Sequence, residues 1–190
     1  AADITPAWSF NGFISGDTSA TIAYTGRNYN TANVTTANLI TVSGLSITSV
    51  AGGNSSAPED YVLDSTTKTV NATITPKTVS LAVAPKVYDA STDMTGYVSI
   101  TTGVGGETLT YNGATSNDAH VATAGKYLNA ITLGNASDGS GGLASNYQLP
   151  TLNAANAPIS ITPKTVSLAV APKVYDASTD MTGYVSITTG

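Results

Sequence analysis

The sequence predicts an all-β protein made of tandem antiparallel β-sandwich modules. The first observation is a repeat: the thirty residues 74–103 return without a change as residues 161–190, an offset of 87 residues. That period exceeds the roughly 20 to 50 residues of solenoid repeats and suits one small sandwich domain. The second observation is composition, because Ala, Val, Thr, Ser, Asn and Gly predominate and large apolar residues are few, which favours short strands and polar turns over amphipathic helices.

The offset of 87 residues divides the chain into three predicted parts. Residues 1–74 are a first sandwich module that lacks its first strand, residues 75–162 are a complete module, and residues 163–190 are the opening strands of a third. Without its first strand, the first module lacks an edge partner. We therefore expect residues 165–170 either to be exposed and weakly ordered or to pair with the first module of a second copy.

The strands of the complete module are predicted from alternation and from turn residues. Val79, Leu81 and Val83 alternate with smaller or polar residues over 78–83, which is the period of a half-buried strand. Glycine, asparagine and proline clusters at 103–106, 112–118, 134–142 and 150–156 predict turns. Further strands are predicted at 97–101, 107–111, 126–133, 146–149 and 157–161, and in the first module at 9–15, 21–24, 39–50, 61–63 and 69–74.

Charge and cysteine content exclude several classes of function. With a net charge of -5, the chain offers no basic surface for phosphates, so we expect no nucleic-acid partner. It contains no cysteine, which excludes disulfides and thiolate metal sites. No apolar run approaches the roughly 18 residues that span a bilayer, so we expect no membrane insertion in this fragment.

Four short motifs carry a family resemblance: KVYDA at 86–90, AGK at 124–126, NYQL at 146–149 and ITPK at 161–164. In this order and spacing they resemble the YDG repeat domain of large secreted bacterial adhesins that are similar to filamentous haemagglutinin, many of them exported by two-partner secretion. Ala90 and Ala177 stand where the family has glycine, a departure that argues against a positive φ there. The resemblance implies Ig-like β modules in an adhesin stalk, outside the cell or on the bacterial surface.

The joints between modules are the first candidate sites. One strand leads into the next with a short linker, and proline restricts that linker to extended geometry. At Tyr88-Asp89 and Tyr175-Asp176, we expect the tyrosine to pack over the end of a sandwich and the aspartate to accept turn amides. The structural junction residues are Pro76, Lys77, Tyr88, Asp89, Pro163, Lys164, Tyr175 and Asp176.

Calcium at the joints is the alternative interpretation of these aspartates. Asp89 with Asp93, or Asp176 with Asp180, would supply hard oxygen ligands. Two carboxylates are too few for about six to eight ligands, so no cofactor is predicted.

The remaining residues that could carry chemistry are more simply interpreted as surface or structural residues. We expect His120, the single histidine, to lie exposed beside Asp118, since one imidazole rarely makes a zinc site. Lys126 is either a solvated edge lysine or, less readily, the donor of an isopeptide bond to an asparagine. No serine lies in a Gly-x-Ser-x-Gly elbow, and Glu107 is an isolated carboxylate, so we expect no enzyme.

The leading functional hypothesis is a structural spacer that projects an adhesive tip for attachment to cells or biofilm, with neighbouring repeats as partners. The alternative is an adhesive module that binds a host glycan or a biofilm exopolysaccharide. Such binding needs exposed aromatic side chains on one face. The candidate ligand contacts are Trp8, Tyr29, Tyr97 and Tyr127.

Overall fold

The computed structural model describes residues 8–189 and divides the chain into two compact units, one ending at Thr75 and the other beginning at Pro76. Both units are built from small sheets of two or three strands, most of them antiparallel, which confirms the all-β class. Within the described residues, helical structure is limited to two 3-10 turns, Pro58–Asp60 and Ala144–Asn146.

The first unit contains two antiparallel sheets. One pairs β1 with β4, and the other has the order β2-β3-β5. Gly44 separates β3 from β4 with a φ of 64°, and a Cβ at this position would collide with the Thr25 side chain, so only glycine fits the turn. The strands are β1 (Asp17–Ala23), β2 (Gly26–Tyr29), β3 (Leu39–Ser43), β4 (Ser46–Gly52) and β5 (Thr67–Asn71).

The second unit contains five two-stranded pairs. The antiparallel pairs are β7-β9, β10-β11 and β14-β15, and the parallel pairs are β6-β12 and β8-β13. The strands are β6 (Lys77–Thr78), β7 (Ser80–Val83), β8 (Lys86–Val87), β9 (Val98–Thr101), β10 (Thr110–Ser116), β11 (Leu128–Gly134), β12 (Tyr147–Gln148), β13 (Ile161–Thr162), β14 (Val166–Val170) and β15 (Val185–Thr189).

The two units differ in how much apolar surface they bury. The second unit has a contiguous core to which β9, β10 and β11 contribute, together with Met94 and Ala157. Leu81, Val83 and Ile100 of the β7-β9 hairpin pack against it. In the described part of the first unit, the buried apolar residues are Ala37, Val42 and Leu45.

Several predicted strand boundaries are wrong. Residues 9–15 and 61–63 form no strand, and the predicted strand 39–50 is broken at Gly44. Residues 112–116, predicted as a turn from their Asn and Gly content, belong to β10. A register shift between Asn112 and Thr115 accommodates Gly113 at a φ of 64°, so the glycine marks an irregularity inside a strand.

The repeated segment forms the same hairpin twice. In β7-β9, Ser80 pairs with Thr101 and Val83 with Val98. In β14-β15, the residues 87 positions later, Ser167 and Thr188, and Val170 and Val185, pair in the same register. The pairing therefore follows from the local sequence, while the environment of the two hairpins differs.

Candidate functional site

The KVYDA motif folds into a loop that is held by one buried lysine. Lys86 is 3% exposed, and its ammonium group donates to the carbonyl oxygens of Ser91 at 3.0 Å and Asp93 at 2.7 Å. It also lies 2.9 Å from Oδ1 of Asp89. A buried ammonium is tolerated only when its donors are satisfied, and here the loop carbonyls and one carboxylate do this.

The polar side chains of the same loop accept backbone amides. Oδ1 of Asp89 accepts the Ser91 amide at 3.0 Å, and Oδ1 of Asp93 accepts the Thr95 amide at 2.9 Å. The hydrogen bond from Lys86 lowers the pKa of Asp89, and the hydrogen bond from the Thr95 hydroxyl lowers that of Asp93. Asp89 thus accepts a turn amide as predicted, and protein donors bind the Oδ1 atom of both aspartates.

Ala90 adopts a left-handed backbone, with a φ of 62°, and Ala177 does the same with a φ of 60°. The expectation that alanine would prevent a positive φ here is wrong. The bonds from Lys86 fix both sides of the turn, so the loop retains a conformation that costs a residue with a Cβ about 1–2 kcal/mol.

The Tyr88 ring stacks on the imidazole of His120, with 29° between the ring planes. It is half-buried, and 6.1 Å separates the two ring centroids. His120 is exposed, and its backbone amide donates to Oδ1 of Asp118, as the predicted position beside Asp118 requires. That hydrogen bond lowers the pKa of Asp118. The counterpart Tyr175 is 91% exposed.

The second copy of the loop reproduces the first. Lys173 lies 2.8 Å from Oδ1 of Asp176 and donates to the carbonyl oxygens of Ser178 at 3.2 Å and Asp180 at 2.7 Å. The Lys173 side chain remains only 12% exposed. The loop is therefore a local structure that forms without the surrounding core.

The remaining junction residues differ between the copies. Lys77 lies in β6, opposite Tyr147, and the half-buried Pro76 precedes it. Pro163 and Lys164 are exposed and follow β13 directly. Among the described residues, no group of three or more His, Asp or Glu side chains could hold a metal ion.

The four aromatic candidates for ligand contact are divided between the two units, two in each. All four are half-buried; Trp8 belongs to the first unit, as does Tyr29, whose hydroxyl donates to the Thr73 carbonyl at 3.2 Å. Tyr97 packs against the core cluster of the second unit, and Tyr127 forms an isolated bridge with Pro158.

Lys126 is not a solvated edge lysine, which corrects the sequence prediction. It is 8% exposed, and its ammonium group donates to the carbonyl oxygens of Val121, at 2.9 Å, and Thr123. Like Lys86, it closes a short loop by binding carbonyl oxygens. Lys86 and Lys126 therefore act as loop clamps, meaning that their ammonium groups bind carbonyl oxygens of the loop next to them. The sequence did not indicate this role.

Two tyrosine-carboxylate pairs were missed by sequence reasoning. The Tyr147 hydroxyl donates to Glu107 at 2.6 Å, so Glu107 is not isolated. In the first unit, the Tyr61 hydroxyl donates to Asp17 at 2.7 Å. Burial, followed by this hydrogen bond, raises the pKa of Tyr147, and the bond to Asp17 raises that of Tyr61. Each tyrosine directly follows a 3-10 turn, but its carboxylate partner lies 40 or 44 residues away, so no short sequence pattern indicates either pair.

These polar groups bind one another, although Oδ1 of Asp17 is buried without a hydrogen-bond partner among the described residues. The lysines bind carbonyls, the aspartates accept turn amides, and the buried Tyr147 and half-buried Tyr61 bind carboxylates. Such an arrangement rigidifies loops. No family model matches the chain, and no curated protein or solved structure matches it significantly. None of the described helices is long and apolar enough to cross a membrane.

Proposed function

We propose that the chain is a structural spacer from the stalk of a bacterial cell-surface adhesin, built of Ig-like β-sandwich modules with an 87-residue period. The observation that carries the proposal is the duplicated loop and hairpin, whose hydrogen bonds recur 87 residues apart in two environments. A repeat whose loop and hairpin follow from its own sequence can be added in series, so the number of repeats sets the length of the stalk. The resemblance to YDG repeats supports an extracellular location.

The hydrogen bonds within the KVYDA loop also favour a structural role. Lys86 and Asp89 bind each other and the loop backbone, so these groups stiffen the turn. A low charge and a surface rich in Ser, Thr and Asn suit an extended stalk that adheres weakly to other molecules. Adhesion is then left to another part of the parent protein.

Small-angle scattering tests the spacer role at concentrations where the chain is monomeric. Chains lengthened by one and by two extra copies of residues 75–161 should grow in maximum dimension by equal steps of at least about 23 Å, the length of the seven-residue strands β10 and β11. Stepwise growth supports a spacer, and a maximum dimension that fails to grow with each copy contradicts it.

A glycan array with the full chain tests the adhesive alternative. The spacer proposal predicts no binding to host glycans or exopolysaccharides. Binding that is lost in Trp8→Ala or Tyr127→Ala, but retained in Tyr175→Ala, would replace the spacer with an adhesive module. Tyr175 is the matched control because its ring is exposed and it was not a candidate ligand contact.

A further inference from the structure

The two parallel strand pairs of the second unit lie where the flanking chain joins residues 76–162. The first strand of this segment, β6, directly follows Pro76 and pairs in parallel with β12; we call these two strands the entry pair. Its last strand, β13, directly precedes Pro163 and pairs in parallel with β8; we call these two the exit pair. The other strand pairs described in this unit are antiparallel.

Tension along the chain loads both pairs lengthwise. A pull on the chain before Pro76 draws β6 towards its N-terminal end, and a pull on the chain after Thr162 draws β13 towards its C-terminal end. Because parallel strands run in the same direction, each drawn strand slides along its partner instead of peeling away from it. Sliding loads all the hydrogen bonds of a pair together, whereas peeling breaks them one after another.

The entry pair is anchored by buried groups. The Val79 amide, directly after β6, donates to the Gln148 carbonyl oxygen at 3.0 Å, and the Gln148 side-chain amide donates to the Thr78 hydroxyl at 2.9 Å. Val79 is 2% exposed, and the hydroxyl of the buried Tyr147 in β12 donates to Glu107. Withdrawal of β6 therefore has to break these hydrogen bonds and expose buried apolar surface in the same step.

The exit pair is tied to the core through Lys86. Its amide donates to the Ser160 carbonyl oxygen at 3.0 Å, and the Tyr88 amide donates to that of Thr162 at 2.9 Å. The Lys86 ammonium group binds the carbonyl oxygen of Asp93 at 2.7 Å, and Asp93 forms a β-bridge with β10. A pull on β13 therefore passes through β8 and the lysine clamp to β10, which contributes to the core.

We propose that the entry and exit pairs form a shear clamp, which makes the second unit resistant to tension along the chain. The function is mechanical: the unit keeps its fold and its length while the chain transmits a pulling force. The inference goes beyond the spacer role and does not depend on it, since it requires only the strand directions and the bonds between them. A unit that unfolds readily under tension can still act as a spacer at rest, so the force and scattering experiments fail independently.

Single-molecule force measurements on the full chain test the clamp. The sequence contains no cysteine, so two introduced cysteines define where the handles attach. Thr75→Cys with Lys164→Cys, both at exposed positions, places the tension across the entry and exit pairs. Ser80→Cys with Thr101→Cys provides the contrasting direction of pull, because these exposed residues lie opposite each other in the antiparallel β7-β9 pair and tension between them peels that pair apart.

The two attachments should give different unfolding forces at the same loading rate. We expect the second unit to unfold at a clearly higher force when it is pulled from positions 75 and 164 than when it is pulled from positions 80 and 101. An unfolding force from the first attachment that does not exceed the force from the second overturns the proposal.

Matched threonine variants test which bonds bear the load. Thr78→Val removes the 2.9 Å hydrogen bond from Gln148 in the entry pair, and Thr115→Val removes a 2.9 Å hydrogen bond to Asn129 in the antiparallel β10-β11 pair. Under constant force between positions 75 and 164, Thr78→Val should raise the unfolding rate about fivefold, the factor that one net hydrogen bond contributes. Thr115→Val should change this rate by less than about twofold, because its bond is still intact in the transition state.

Urea denaturation without force separates a mechanical role from a general one. Both variants lose one hydrogen bond between side chains, so we expect similar losses of equilibrium stability. A selective effect of Thr78→Val under tension supports the clamp. Equal acceleration by the two variants under tension, or no acceleration by Thr78→Val, overturns it.

Discussion

Residues 74–103 and 161–190 have one sequence and two environments. Strand register, the positive φ of the alanine and the lysine bonds are the same in both copies. Burial differs, because Met94 lies in the core and Met181 does not. The comparison separates what thirty residues specify by themselves from what the rest of the second unit adds.

The largest expected difference in stability between the two copies comes from substituting Met94 and Met181. Met94→Ala should lower the free energy of unfolding of the second unit by about 2–5 kcal/mol, because it leaves a cavity in the core. Met181→Ala should change it by less than about 0.5 kcal/mol in dilute solution. Urea denaturation of both variants measures the difference. Equal losses would show that the second copy is buried as the first is.

Substituting the loop lysine should give a smaller difference in stability between the two copies. Lys86→Met leaves the carbonyls of Ser91 and Asp93 without their buried donor, and we expect a loss of about 1–3 kcal/mol. Lys173→Met should cost less than about 1 kcal/mol, since Ser178 and Asp180 are exposed and water can bind their carbonyl oxygens in place of the ammonium group. Thermal unfolding of the two variants provides the measurement. A greater loss from Lys173→Met would mean that the clamp does not depend on burial.

Replacing the alanine at positive φ with glycine should raise the free energy of unfolding. Ala90→Gly removes the cost of a Cβ at positive φ, and we expect about 0.5–1 kcal/mol of added stability, net of the entropy that glycine gains in the unfolded chain. Ala177→Gly should leave global unfolding unchanged and raise hydrogen-exchange protection in the β14-β15 hairpin alone. Destabilisation by Ala90→Gly would show that the left-handed turn carries no strain.

The carboxyl pKa values should be nearly equal in the two copies. Hydrogen bonds from Lys86 and Lys173 lower the pKa of Asp89 and of Asp176 from 3.8. A carboxyl with a lowered pKa stabilises the fold above its unfolded pKa, and this contribution disappears as the pH falls through its folded pKa, here in the window below about pH 4.

Carbon-detected NMR titration measures both carboxyls. Lys86→Met should raise the pKa of Asp89 and leave that of Asp176 unchanged, because each lysine acts only on its own loop. An ordinary pKa for Asp176 in the wild-type chain would show that the second loop is open in solution.

Interactions close in sequence were the predictable part of the candidate site. The turn role of Asp89 and the position of His120 beside Asp118 follow from neighbours within two residues, and the structure confirms both. Lys86 and Lys126 also bind within their own loops, yet composition alone did not show that their ammonium groups point inward. A lysine has no sequence pattern that distinguishes a solvated ammonium from one satisfied by carbonyls.

The sequence by itself determined the all-β class, the repeated hairpin and the turn at Asp89, because strand alternation and short-range hydrogen bonds act within a few residues. Only the tertiary structure decided the pairing of Tyr147 with Glu107, which are 40 residues apart, and the burial of Met94 but not of Met181. Burial depends on surfaces supplied by distant segments. Two identical stretches can therefore share the lysine clamp and the strand register and still differ in what covers them.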